Sequence, residues 1–185
     1  MPTELVILLI ALALPLFWVV MVFNRFVSLR NHIRESWSNI DTELKRRYDL
    51  IPNLVEVVRG YARHEREVLE QVAALRNQCA QNHGAVASQA ADEKQLVAAV
   101  SKLLALAEAY PELKAQESFL KLQRELINTE DRIQAARRFF NGNVRDYRNR
   151  FQMFPSNIVA SLFNFAPESY FDVDPSVREV PSTRF

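Results

Sequence analysis

The sequence predicts an all-α fold, a long antiparallel helical bundle preceded by one N-terminal transmembrane helix. Three observations predict it. Leu5 to Phe23 is a continuous apolar run without a charged or amide side chain. Most of the chain beyond it repeats apolar residues at spacings of three and four, the beat of an amphipathic helix. Neither the alternation nor the turn chemistry of a sheet is present, and 185 residues contain only 3 glycines, fewer than a loop-rich β fold uses.

The apolar run comes first. At 1.5 Å per residue it reaches about 28 Å, close to the thickness of a bilayer's hydrocarbon core. Pro15 is tolerated in such a helix, where the lipid forces the backbone to keep its internal hydrogen bonds. Trp18 and Phe23 suit the region near an interface. A cleavable signal peptide would want basic residues before the run and small residues just after it. The chain instead has Met1, Pro2, Thr3 and Glu4 before it and Met21, Val22, Phe23 and Asn24 at its end, with Ala11 and Ala13 lying mid-run. A retained anchor over residues 1–24 is therefore expected. Glu4 precedes the run, and Arg25, Arg30 and Arg34 follow it. The positive-inside rule then puts the N-terminus outside and the body in the cytoplasm.

The remaining chain is long enough for one domain with a real core. Lys plus Arg number 23 and Asp plus Glu number 22, so no strong field argues for nucleic acid. The lone Cys79 excludes an internal disulfide and a cysteine-based zinc site.

A helical bundle is expected over residues 25–154. Phe26, Leu29, Ile33, Trp37, Ile40, Leu44, Ile51, Val55, Val58, Val68, Val72 and Leu75 keep one helical beat, predicting a first helix over about 25–80. Arg34, Glu43, Arg46, Arg59, Arg63 and Glu70 mark its polar side, and Glu43 with Arg47 reads as a favourable i,i+4 pair. The beat stays in phase across Pro52, which favours a kinked continuous helix over a restart capped by Asp49. Gln81 to Asp92 reads as a linker around Gly84. A second helix is expected over 93–109, with Leu96, Val100, Leu103, Leu104 and Ala107 on one side, ended by Tyr110 before Pro111. A third is expected over 118–152, its stripe formed by Leu122, Leu126, Ile133, Ala136, Phe140, Val144, Tyr147 and Phe151. Phe154 and Pro155 break the chain, Ser156 is positioned to cap a short turn through Phe163, and residues 155–185 otherwise read as an extended tail with Pro167, Pro175 and Pro181.

A search for chemistry returns mainly exclusions. His64 and Glu65 begin like a helical H-E-x-x-H zinc motif, but position 68 is Val68. The residues three before His32, His64 and His83 are Leu29, Tyr61 and Ala80, so no Glu-x-x-His pair of a di-iron bundle exists. Cys79 with His83 at i+4 lacks the further groups of an activated thiol. Gly60, Gly84 and Gly142 are isolated, so no phosphate loop is formed. No cofactor is expected.

Two segments carry interaction hypotheses. Lys45, Arg46 and Arg47 form a basic cluster that either meets anionic headgroups or is a solvated face with acidic partners; the second is favoured by its distance along the chain from the anchor. Phe163, Phe165, Tyr170, Phe171 and Phe185 lie in a proline-punctuated stretch. They either seal the bundle or form a docking tail for a partner or a neighbouring copy.

Leu44-Lys-Arg-Arg-Tyr-Asp-Leu-Ile-Pro-Asn-Leu-Val55, followed by Gly60-Tyr61 and His64-Glu65, resembles the LemA family. Ala107 to Ala115, Leu122 to Leu126 with Thr129, Glu130, Arg132 and Ile133, and Phe154-Pro-Ser-Asn157 with Tyr170 and Phe171 extend the resemblance in order along nearly the whole chain. Phe140-Asn141 and Tyr147-Arg148 depart from the family's frequent Tyr-Asn, and Ser161 and Asn164 stand where glycines are common. The resemblance implies a bacterial membrane protein with an N-terminal helix, a long antiparallel bundle and no known enzymatic activity. It also implies relatives connected with membrane organelles and membrane-protease neighbourhoods.

The block Arg46, Arg47, Tyr48, Asp49, Pro52 and Asn53 reads first as a structural hinge and second as a binding site. Asp49 and Asn53 are placed to satisfy backbone groups freed at Pro52, with Arg46 or Arg47 pairing with Asp49. The expected function is a non-catalytic, membrane-anchored scaffold or adaptor that self-associates, with Ala11 and Ala13 as points of close approach between anchors. The alternative is a regulator or accessory subunit of a membrane protease. Expected partners are the lipid bilayer and further copies of the chain.

Overall fold

The computed structural model describes residues 3–171, the Leu8 side chain excepted. It is all-α. Six helices follow one another: α1 Thr3–Tyr61, α2 Arg66–Gln81, α3 Val86–Ala107, α4 Pro111–Lys114, α5 Glu117–Gln152 and α6 Ser156–Leu162. No strand occurs among the described residues. Two compact units divide the chain, one built from Met1–Ser38 with Phe139–Ser169, the other from Asn39–Arg138 with Tyr170–Phe185.

In the first unit the start of α1 is exposed. From Leu5 to Met21 no described side chain is buried, and α1 is the one described helix long and apolar enough to cross a membrane. Burial begins at Val22 and continues through Phe26, Leu29 and Ile33, the spacing that puts these residues on one helical face. Phe140, Val144 and Tyr147 of α5 are buried in the same unit. Phe26 meets Tyr147 edge-on at 5.7 Å, Trp37 meets Phe140 at 5.5 Å, and Asn143 donates to the His32 carbonyl at 3.3 Å. Rising numbers on α1 thus meet falling numbers on α5, so the two run antiparallel here. The Tyr147 hydroxyl, buried with its ring, donates to the Ala166 carbonyl at 2.8 Å. Burial, with Glu168 adding, raises its pKa, and Arg30 opposes the shift.

The second unit packs the remainder of α1 against α2, α3, α4 and the first part of α5. Ile51, Leu54, Val58, Leu69, Val72, Leu96, Leu103, Leu113 and Leu126 form its core. Each such side chain contributes about 1.5–3 kcal/mol on removal from water.

Three boundaries differ from the expected ones. The helix expected over 25–80 stops at Tyr61, and α2 starts at Arg66. The apolar beat had a gap between Val58 and Val68; there the chain turns, with Ala62 tucked into the core at 1% exposure. Glu65 precedes α2 without a side-chain cap, so the turn carries no capping signature. His64 and Glu65 therefore sit in this turn and not on a helix. Helix α3 starts at Val86, inside the expected 81–92 linker. Ala87, Ala90 and Ala91 form helix readily but are too small to write a stripe. The true connection is held by Asn82, whose side chain accepts from the Gly84 N–H at 2.9 Å and donates to Asp92 at 2.6 Å. Finally, Ser156 does not cap α6. Its hydroxyl donates backwards to the carbonyls of Arg150 at 2.6 Å and Met153 at 2.9 Å, fastening the end of α5.

Candidate functional site

Within the second unit the basic block folds around a buried ion cluster. Arg47, one turn beyond Leu44 on the inner side of α1, is 4% exposed. Its guanidinium donates to Glu93 of α3, itself 2% exposed, and to Glu130 of α5 at 2.8 Å. The neighbouring Tyr48 hydroxyl donates to the same Glu93. Glu130 also accepts from Gln134 at 2.8 Å, and Gln134 accepts from Arg137 at 3.0 Å. Arg137 lies over the ring of the fully buried Phe171, 5.6 Å from its centre, a cation–π contact. One connected set of polar groups thus ties α1, α3 and α5 together.

Electrostatics explains why the set holds together. Burial pushes the Arg47 guanidinium below its ordinary range, and the charge of Glu130 opposes that. Burial raises the Tyr48 phenol, which stays protonated and able to donate. Removing Arg47 would leave Glu93 charged and buried without its cation. Nearby, the Cys79 thiol is pushed up to about 11 by burial and then by Asp92, so at neutral pH it stays protonated and is a poor nucleophile. A cleft of about 150 Å³ beside the cluster is lined by Val97, Val100, Leu104, Leu126, Arg47 and Glu130 among others, and is chiefly apolar. Among the described residues no group of three His, Cys, Asp or Glu side chains is placed to hold a metal ion.

The hinge has a different construction from the expected one. Helix α1 passes through Pro52 without interruption. Proline has no N–H for the carbonyl four residues back. That carbonyl belongs to Tyr48, and it accepts instead from Nε of Arg76 on α2 at 2.9 Å. Asp49 does not pair with Arg46 or Arg47; it lies 3.9 Å from Arg76. Arg46 lies beside Glu43 at 3.6 Å, and Glu43 also faces Arg132 at 3.8 Å, so the expected Glu43–Arg47 pair is replaced. Pro52 and Asn53 are exposed. Lys45 and Arg46 are exposed while Arg47 is buried, which splits the basic cluster by helical phase. Arg76, Glu93 and Glu130 are the partners that sequence reasoning did not assign. Glu93 carried one signal, an acid at the start of an expected apolar stripe.

The other expected residues are dispersed. In the first unit Phe165 is buried, stacked on Phe26 at 4.8 Å with Arg30 above it at 5.6 Å, and Phe163 is 46% exposed. In the second unit Tyr170 is half-buried and Phe171 is fully buried. Buried Phe165 and Phe171 seal packed surfaces and are not available as free docking side chains. Phe185 lies outside the described residues. Glu4 and Arg25 are exposed on either side of the apolar run, and Arg30 is half-buried.

A helical body closed by an internal ion cluster, preceded by an exposed run of membrane-spanning length, defines a membrane-associated all-α protein. Comparison with known proteins agrees. The LemA family profile matches residues 36–185. Magnetosome protein MamQ of Magnetospirillum gryphiswaldense is 22% identical over 202 residues, covering 95% of this chain and 74% of that protein. Magnetosome protein MamQ 2 of Paramagnetospirillum magneticum is 22% identical, covering 85% of this chain and 67% of its own length. Protein LemA of Metamycoplasma hominis is 27% identical over 146 residues, covering 77% of this chain and 67% of its own length. The chain belongs to the LemA family.

Proposed function

We propose that this chain is a membrane-anchored scaffold or adaptor that self-associates at the bacterial plasma membrane, with its N-terminus outside, its body in the cytoplasm, and no catalysis of its own. One observation carries the reading: α1 takes an exposed apolar run of spanning length straight on into the helical body. The ion cluster supports it from the other side. Arg47, Glu93 and Tyr48 are consumed in pairing with one another and with Glu130, so their chemistry is structural. Two relatives named as magnetosome proteins favour a role at a membrane surface.

The test is the copy number of the full-length chain extracted with its native lipid. More than one copy per particle, captured by cross-linking and by single-particle mass measurement, supports self-association. A single copy overturns it, and a stoichiometric peptidase in the same particle would replace it with the accessory-subunit reading. For orientation, a C-terminal fluorescent protein that matures only in the cytoplasm should shine, and a C-terminal periplasmic phosphatase should stay inactive. The opposite pattern reverses the topology.

A further inference from the structure

The first unit carries an apolar surface that its own packing leaves open. From Phe151 to Pro167 no residue is charged. Helix α6 buries Val159 and Ala160 but turns Ile158 and Leu162, one turn apart, outward at 57% and 69% exposure. Phe154 in the preceding turn is 80% exposed, and Met153 and Phe163 extend the patch. Large apolar side chains gathered on one face mark an interaction surface.

The position of this patch identifies its occupant. Phe163 packs on Phe23 at 4.9 Å and Phe165 on the same ring at 5.6 Å. Phe23 is the last residue of the apolar run, and exposed Arg25 follows it. Wherever the run meets the edge of the hydrocarbon core, α6 is held at that same level. Its backbone is equipped for the place, because the N–H groups of Phe163, Asn164 and Phe165 bond to the carbonyls of Val159, Ser161 and Ala160. Three carbonyls that a helix end would otherwise leave open are thus paired and not stranded in lipid. Exposed Asn157, Ser161 and Asn164 supply polar groups of the kind that meet headgroups.

We propose that the Phe154–Phe163 segment is a second membrane contact, lying in the interface of the bilayer that α1 enters, with Phe154, Ile158 and Leu162 dipping among the upper acyl chains. This rests on the reading of Leu5–Phe23 as a membrane span. The surface would fix the tilt and rotation of the first unit against the membrane, which a single helix cannot do alone.

The experiment uses the full chain in vesicles of phosphatidylethanolamine and phosphatidylglycerol. Nitroxide labels are placed one at a time at Ile158→Cys, Leu162→Cys, Leu12→Cys and Glu35→Cys in a Cys79→Ala background. The Cys79→Ala chain with no added cysteine gives the labelling background, and circular dichroism checks that each variant keeps its helix. Accessibility to oxygen and to a water-soluble nickel chelate is then compared. The expected result is that labels at positions 158 and 162 favour oxygen, as the label at position 12 does, while the label at position 35 favours nickel. Nickel-accessible labels at 158 and 162 with an oxygen-accessible label at 12 overturn the second contact and leave the span standing. A nickel-accessible label at 12 overturns the span itself. Labels at 158 and 162 shielded from both agents and broadened by neighbouring spins would assign the patch to an interface between copies, overturning the lipid reading.

Discussion

At the scale of single residues, Arg76 and Pro52 form the clearest dependency. Arg76→Leu strips the Tyr48 carbonyl of its donor and should cost about 1–3 kcal/mol. In a Pro52→Ala background the restored helical N–H takes over that carbonyl, so the same substitution should cost less. Chemical denaturation of the four members of this cycle measures the coupling, and additive costs would refute the arrangement. Arg47→Ala leaves Glu93 charged and buried and should cost about 3–5 kcal/mol, whereas Arg47→Met with Glu93→Leu and Tyr48→Phe should recover most of it. Equal losses in the two variants would show that the cluster's charges do not govern its stability. Cys79 gives a pH signature. Its raised pKa means that the thiol's contribution is fully present below pH 9.0 and is lost as pH rises through about 11, because the unfolded chain gives up its proton first. The stability difference between the native chain and Cys79→Ala should therefore shrink across that window in thermal melts. Thiol titration of the folded chain near neutral pH should run about a hundredfold slower than in denaturant, from the thiolate fraction alone. The sequence made Arg47 a site residue but could not supply its partners, since a charge's neighbour across the bundle has no fixed spacing along the chain. It made Asp49 the hinge partner because local pairs are the ones a sequence displays.

Among the helices, legibility followed side-chain size. The large apolar residues of α5 wrote its stripe plainly, and Ile133, Phe140, Val144 and Tyr147 are all buried as that stripe requires. The alanine-rich start of α3 wrote none and was read as linker, although alanine is the strongest helix former. The turn at 62–65 was hidden for a related reason: Ala62 is the buried residue there, and the apolar beat resumes in phase after it. Two glycines test the helices directly. Gly60 in α1 and Gly142 in α5 each have no atom within 4 Å of where a Cβ would stand. Gly60→Ala and Gly142→Ala should each stabilise by about 0.5–1 kcal/mol, by narrowing the unfolded ensemble without a steric penalty. A loss of stability at either position, in urea titration, would mean that the space is occupied.

For the whole molecule, the N-terminal apolar helix and the helical body were legible because hydropathy and helical period are properties of long windows; the division into two compact units was not, since it depends on which distant segments meet. The exposed run contributes to no core, so a chain starting at Val22 should melt at the temperature of the full-length chain, read by circular dichroism in the same detergent. A chain starting at Val27 loses the fully buried Phe26 and should lose about 3–5 kcal/mol. If both truncations behave alike, α1's burial does not begin where the structure puts it.

The pairing of α1 with α5 in the first unit also bears on how the protein is made. Asn143 meets His32 across 111 positions of sequence. At ordinary translation speeds the ribosome needs roughly 6–20 s to cover that interval. For those seconds Val22, Phe26, Leu29 and Ile33, all buried in the finished fold, wait for the later half of their unit to emerge. The nascent chain thus holds half of a finished core, its apolar face uncovered, until α5 emerges.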